Sequence, residues 1–271
     1  MNALTRHNVK ISGHGTTPLL FAHGFGCDQN MWHLVTPSFE SDYKIVTFDY
    51  VGHGQSDFSA YDRARYGSLE GYADDILEIC DELDLRDLVF VGHSVSAAIG
   101  IIAAIRQPGR FKSLILVGPS PCYVNDGDYV GGFTRASIDE LLDFLDSNHL
   151  GWSSAMAPVI MGNADRPELG AQLANSFCRT DPEVAKQFAK VTFLSDTRHD
   201  LPNLDVPSLI IQCSDDIIAP ACVGQYMHRQ LANSHLTVLD ANGHCPHLSA
   251  PAATINAMKS FLAHMGDGSA G

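Results

Sequence analysis

The chain has no uninterrupted apolar run long enough to span a bilayer, and no basic segment leading into an apolar one at its N-terminus. Neither a membrane span nor a secretory leader is therefore expected. It is short of positive charge, with 17 Lys and Arg against 31 Asp and Glu and a formal net charge of -14. A surface of that sign repels phosphate backbones and anionic membranes, which argues against nucleic acid or membrane partners. Paired cysteines are lacking too. Cys27, Cys80, Cys122, Cys178, Cys213, Cys222 and Cys245 are odd in number and scattered. In a chain large enough to do without cross-links they read as reduced thiols of a cytoplasmic protein. There is no internal repeat, and the one low-complexity stretch is the Gly-Asp-Gly-Ser-Ala-Gly tail, which is expected to fray. What is present is a full core: 271 residues, 45% hydrophobic, suit one large α/β domain or a domain with an insertion.

The central stretch is Leu88-Val89-Phe90-Val91-Gly92-His93-Ser94-Val95-Ser96-Ala97-Ala98. Leu88 to Val91 has the length and β-branching of a buried strand, and the small apolar residues after Ser94 read as a buried helix. Ser94 falls on the sharp turn between them, where small neighbours let strand and helix backbones approach and the hydroxyl stands clear of the sheet edge. The usual elbow is Gly-x-Ser-x-Gly. Here Ser96 replaces the second glycine, so this stretch alone leaves an ordinary helix N-cap serine as the competing reading.

The surrounding pattern favours a nucleophile. Thr17 to Ala22 reads as a strand running into the glycine-rich loop His23-Gly24-Phe25-Gly26, one strand-helix unit before Ser94. In serine hydrolases of this layout such a loop supplies one oxyanion-binding amide, for which Phe25 is the candidate. Lys44 to Asp49 is another strand; His53, in the glycine-bearing turn beyond it, reads as a mobile loop residue rather than a base. From Tyr72 to Leu83, apolar residues recur at helical spacing, with Asp74, Asp75, Glu78, Asp81 and Glu82 on a solvated face. Leu114 to Gly118, Pro207 to Cys213 and Leu236 to Asp240 complete a mostly parallel sheet with helices on both faces.

Between Pro119 and Leu204 the strand rhythm stops, and helical patterns cover Ile138 to Leu145, Trp152 to Met161, Pro167 to Phe177 and Pro182 to Phe193. The expected division is a core of residues 1–118 and 205–271 with a helical lid at 119–204. The lid's aromatics and methionines mostly attach it to the core, and a few should face a pocket over Ser94. Phe133, Trp152, Met156 and Phe193 are the candidates.

Ser94, Asp216 and His244 stand at three strand ends in the order nucleophile, acid, base. Strand carboxyl ends share one crevice in an open parallel sheet. Asp216 is preferred over its neighbour Asp215 because it lies deeper in the turn leading to Pro220. His244 is preferred over His247 because it directly follows Gly243 at the strand exit. His244, Cys245 and His247 do not make a zinc site, since near-adjacent ligands lack a second cluster, and no metal or cofactor is expected.

These residues resemble the α/β-hydrolases and, more narrowly, the bacterial stress-regulator hydrolases of the RsbQ type and the plant karrikin and strigolactone receptor hydrolases. The likeness rests on Ala22-His23-Gly24-Phe25-Gly26-Cys27-Asp28-Gln29, Phe48-Asp49-Tyr50-Val51-Gly52, Gly92-His93-Ser94-Val95, Val117 to Tyr123, Phe177 to Pro182, Asp215 to Pro220 and Gly243-His244-Cys245-Pro246-His247. The stretch from Phe177 to Met227 is closer to the RsbQ type; Ser96 is the plant receptors' version. The resemblance implies an α/β-hydrolase fold, a catalytic triad of Ser94, Asp216 and His244, oxyanion amides from Phe25 and Val95, and a four-helix lid. It further implies two roles for the chain. One is a serine hydrolase acting on a small apolar ester or lactone. The other is a regulator whose ligand pocket is read by a PAS-domain phosphatase in a stress sigma-factor pathway. A plain metabolic carboxylesterase is the alternative.

Overall fold

A computed structural model describes residues 2–267; the last four residues of the tail expected to fray lie outside the described residues. Seven strands form one sheet: β1 (Lys10–Ser12), β2 (Pro18–Ala22), β3 (Lys44–Thr47), β4 (Leu88–His93), β5 (Phe111–Val117), β6 (Ser208–Asp215) and β7 (Ser234–Asn242). Their order is β1-β3-β2-β4-β5-β6-β7. All pairings are parallel except that of β1 with β3, in which Lys10 faces Thr47 and Ser12 faces Ile45. β1 was not anticipated. It is a three-residue edge strand exposed along its whole length, so it carries no apolar alternation to read.

The helices are α1 (Ala3–Arg6), α2 (Leu69–Glu82), α3 (Val95–Arg106), α4 (Arg135–Ser147), α5 (His149–Met161), α6 (Pro167–Arg179), α7 (Pro182–Phe193), α8 (Ala221–Gln230), α9 (Pro246–Ser249) and α10 (Pro251–Asp267). Successive strand residues point to opposite faces, and the core divides accordingly. Leu20, Leu88, Phe90, Leu114, Leu116 and Ile210 join one cluster with residues of α2, α3 and α8, among them Tyr72, Ile76, Ala97 and Met227. Leu19, Phe21, Val89, Val91, Ile115 and Ile211 join a second with Trp32 and α10's Met258 and Phe261. Both faces are covered, which is why β2, β4 and β5 read as continuous apolar runs.

Helices α4 to α7, between β5 and β6, pack into a third cluster through Ile138, Leu142, Trp152, Leu173, Phe177 and Phe193, together with Met31, Tyr123 and Ile218. Local signals start each of them. Thr134 caps α4, Asn148 caps α5 and Asp181 caps α7 with side-chain oxygens, and Pro167 and Pro182 open α6 and α7.

Two expectations need correcting. His53 is not mobile: it is fully buried, its ring 5.1 Å from that of Phe188 and 5.4 Å from that of His23, and burial lowers its pKa to about 3. The packing of α7 over the turn encloses it, which the flanking glycines do not reveal. Asp75 does not belong to a solvated face. It is fully buried and accepts hydrogen bonds from Arg65 (2.7 Å) and Tyr66 (2.9 Å), because the segment before α2 folds back over that helix. Desolvation raises its pKa to about 6, against the opposing pull of Arg65.

Candidate active site

Ser94 sits between β4 and α3 with φ +56° and ψ -122°, a conformation an L-residue adopts only when its surroundings impose it. The Ser94 N–H donates to the carbonyl of Val117 (2.8 Å) on the adjacent strand, and Ala97 N–H donates to Ser94 O (2.9 Å). A Cβ at Gly92 would come within 2.7 Å of the Ser96 carbonyl, so close packing of strand on helix excludes any side chain there. Ser96 is fully buried. It donates to the His23 carbonyl (2.5 Å) and lies 3.0 Å from Tyr50 Oη, tying the elbow helix to the loop that carries Phe25.

The structure brings Ser94, His244 and Asp216 together. His244 Nε2 is 2.7 Å from Ser94 Oγ, and His244 Nδ1 is 2.7 Å from Asp216 Oδ2. The other carboxylate oxygen of Asp216 accepts the N–H groups of Ile218 (2.8 Å) and Ala219 (3.1 Å), so both oxygens are held. Asp215 points elsewhere: it ends β6 exposed to solvent, and its carbonyl accepts Gly243 N–H (2.7 Å). His244 is fixed from two sides, by His93 Nε2 on its carbonyl (2.8 Å) and by its own N–H on the carbonyl of Ile160 in α5 (2.9 Å). Gly243, at φ +84°, lies where a Cβ would be 1.8 Å from the Met161 carbonyl, so the end of α5 rests directly on the histidine loop. His247 packs between Trp32 and His93, at ring separations of 4.6 and 4.4 Å, and burial lowers its pKa to about 3.

Above Ser94 lies a narrow cavity of about 30 Å³. Its walls include Phe25, Tyr123, Leu173, Phe177, Thr192 and Phe193. Of the four side chains expected to face it, Phe193 does. Trp152 stands one layer back, its ring 5.8 Å from Phe25 and 5.4 Å from Phe177. Phe133 backs Phe193 at 6.5 Å, and Met156 is a partly buried residue packed against the cluster that α4 to α7 share with Met31, Tyr123 and Ile218. The places assigned to Trp152, Phe133 and Met156 are taken by Phe177, Leu173 and Ile160. A helical pattern marks which residues are buried, not which of two buried neighbours is nearer a void.

Tyr123 and Thr192 had not been singled out. Tyr123 Oη is 3.3 Å from Ser94 Oγ, and burial pushes its phenol up to about 12, which keeps it protonated and able to donate. Its place just past the end of β5, at the sheet's carboxyl edge, was the available signal. The amides of Phe25 and Val95 have no protein acceptor among the described residues.

Two groups of side chains cluster at metal-like spacing. His93, Cys245 and His247 place ligand atoms within 4.8 Å of one another, but burial holds the Cys245 thiol well above its usual pKa and His93 Nε2 is committed to the His244 carbonyl. Around His7, Asp75 and Glu78, Arg6 and Arg65 already supply the positive charge. Neither donor set favours a cation.

The Alpha/beta hydrolase family matches residues 19–257 of the chain. The Karrikin insensitive 2 receptor CA of Petunia hybrida is 39% identical over 263 residues, covering 95% of this chain and 96% of that protein. The Strigolactone esterase D14 of Arabidopsis thaliana is 39% identical over 252 residues, covering 93% and 94%. Among solved structures, olei00960, a hydrolase from Oleispira antarctica, superposes with a TM-score of 0.93 at 44% identity, covering 96% of this chain and 95% of that one.

Proposed function

The chain belongs to the Alpha/beta hydrolase family, and on that premise we propose that it cleaves a compact, largely apolar ester or lactone with Ser94 as nucleophile. The observation that carries the reading is the continuous hydrogen-bonded chain from Ser94 Oγ through His244 to Asp216, on a strained elbow beneath a narrow apolar cavity. As Ser94 Oγ attacks the carbonyl carbon, His244 Nε2 takes its proton, and Asp216 holds the imidazole's tautomer and steadies the cation. The amides of Phe25 and Val95 receive the oxyanion. Collapse expels the alcohol, or opens the lactone ring, with the proton returned from His244. A water deprotonated by His244 then attacks the acyl-enzyme, and breakdown frees the acid and restores Ser94. The tight, almost wholly apolar walls of the cavity favour short acyl groups over long ones.

A fluorophosphonate should label Ser94. Ser94→Ala should lower p-nitrophenyl ester turnover by about 10⁵-fold or more while keeping the fold. Turnover by the alanine variant within tenfold of wild type would refute the assignment.

The finer reading is a signalling hydrolase of the RsbQ type. The pocket ligand shifts the lid, and the lid engages a PAS-domain phosphatase that activates a stress sigma-factor pathway. The residues from Phe177 to Met227 favour it, as does the naming of one relative as a receptor. Its seven unpaired cysteines suit a reducing cytoplasm. Exposed lid substitutions should then abolish phosphatase activation and spare ester hydrolysis. Proportional loss of both, or no phosphatase binding, leaves a metabolic carboxylesterase.

A further inference from the structure

Helix α7 turns Val184, Ala185, Phe188, Ala189, Thr192 and Phe193 inward, and Thr192 is the polar member of that stripe. It is 1% exposed, it walls the cavity over Ser94, and its Oγ1 has no hydrogen-bond partner. A hydroxyl buried in a helix ordinarily donates to the carbonyl four residues back. Two others here do so: Ser153 to His149 (2.8 Å) and Thr254 to Ala250 (3.1 Å). Thr192 makes no such bond to Phe188, so its hydroxyl is free for something else. Leaving it unpaired in an apolar cavity is unfavourable, and a ligand oxygen would relieve that.

We propose that Thr192 is a specificity-determining residue that hydrogen-bonds a second oxygen of the substrate, remote from the scissile carbonyl. The proposal rests on the hydrolase reading of Ser94 and narrows its substrate class. The substrate is a compact ester or lactone bearing a further carbonyl, ether or hydroxyl oxygen on the part that reaches the lid. Tyr123 cannot fill this role because its Oη stands 3.3 Å from Ser94 Oγ, at the reacting end. The other walls that come from the lid, Ile160, Leu173, Phe177 and Phe193, carry no polar side-chain atom. A pocket built to bond an oxygen discriminates against the analogue that lacks it, because its own polar group is then left unsatisfied.

The test compares p-nitrophenyl levulinate with p-nitrophenyl valerate, which have the same chain length and differ by a keto oxygen. The quantity read is the ratio of their kcat/KM values in wild type, Thr192→Val and Thr192→Ser; intrinsic ester reactivity cancels between proteins. Wild type should exceed Thr192→Val in that ratio by about tenfold. The ratio carries the test whatever either rate does alone, and serine should restore the preference. Equal ratios in wild type and Thr192→Val, with valerate still cleaved, overturn the assignment of Thr192 alone. Should Thr192→Val fail to fold, Thr192→Ser against Thr192→Ala decides in the same way. Failure of wild type to cleave valerate or to be labelled at Ser94 overturns the hydrolase reading, and this inference with it.

Discussion

At the floor of the cavity, where β4, β6 and β7 end, every polar atom of Ser94, His244 and the Asp216 carboxylate has a partner at 2.7 to 3.3 Å. The roof supplied by α5, α6 and α7 presents rings, aliphatic side chains and one unpaired hydroxyl. The floor is directional, since each bond fixes an angle and admits one residue type at one place. The roof is held by packing, in which Phe25 touches Trp152, Phe177, Phe188 and Phe193 at ring separations of 5.8 to 6.0 Å. Neighbouring rings in such a cluster can exchange places in the wall at small cost. The two regions thus divide the work, with chemistry below and selection above.

The sharpest way to break the floor is to change one atom of it. Asp216→Asn keeps the shape but offers His244 Nδ1 an amide that can present the wrong tautomer, and turnover should fall by about 10⁴-fold. Asp215→Asn, one residue earlier and exposed, should change it less than threefold, as is usual for surface sites. Ester kinetics on the two variants check the pair, and the reverse ranking would show the carboxylates to be misassigned.

The same division decides what could be read from the residues alone. Strands β2, β4, β5 and β6 are legible because burial on both faces makes them apolar runs, and the order of Ser94, Asp216 and His244 is legible because only a few residue types perform those roles. β1 was not, since a short exposed edge strand leaves no pattern. The roof was legible only as four helices. Trp152 and Phe177 are both buried and aromatic, and only the packing of α5 against α6 decides which one faces the cavity. His53 and Asp75 misled for a related reason: each looks polar and exposed within its own segment and is buried by another. Thr192 did leave a trace, a hydroxyl in step with Val184 and Phe188 on the buried stripe of α7.

Floor and roof meet where α5 rests on the histidine loop, and breaking that joint should cost less than breaking the floor. Gly243→Ala demands φ +84° of an alanine and drives its Cβ into the Met161 carbonyl. We expect a loss of about 3 kcal/mol in urea unfolding, from strain and from displacement of α5. Turnover should fall with it, because the bond from His244 N–H to Ile160 orients the base. An alanine variant with wild-type stability and rate would mean that lid and floor are mechanically independent.

The smallest effect concerns the buried histidines, which are held without charge. Burial lowers His7 to about 4 and His53 and His247 to about 3, and lowers His23 and His93 as well. In the unfolded chain each titrates near 6.5. As pH falls below that value the unfolded state gains protons that the folded state refuses, so stability declines by about 1.4 kcal/mol per pH unit for each such histidine. Asp75 acts in the opposite sense. Raised to about 6 in the folded protein, it takes a proton before its unfolded counterpart does, adding stability as pH falls from about 6 toward 4 and offsetting one histidine. The net slope should still favour neutral pH. His247 is the informative site because neither ring nitrogen has a partner, so a phenyl ring between Trp32 and His93 removes the titration without stranding a hydrogen bond. Urea midpoints of wild type and His247→Phe at pH 7, 6 and 5 measure the difference. The variant's decline between pH 6 and 5 should be shallower by about 1 kcal/mol. Parallel declines would mean that His247 is charged within the fold, and that the floor of the site carries a cation beneath His244 rather than a neutral, packed support.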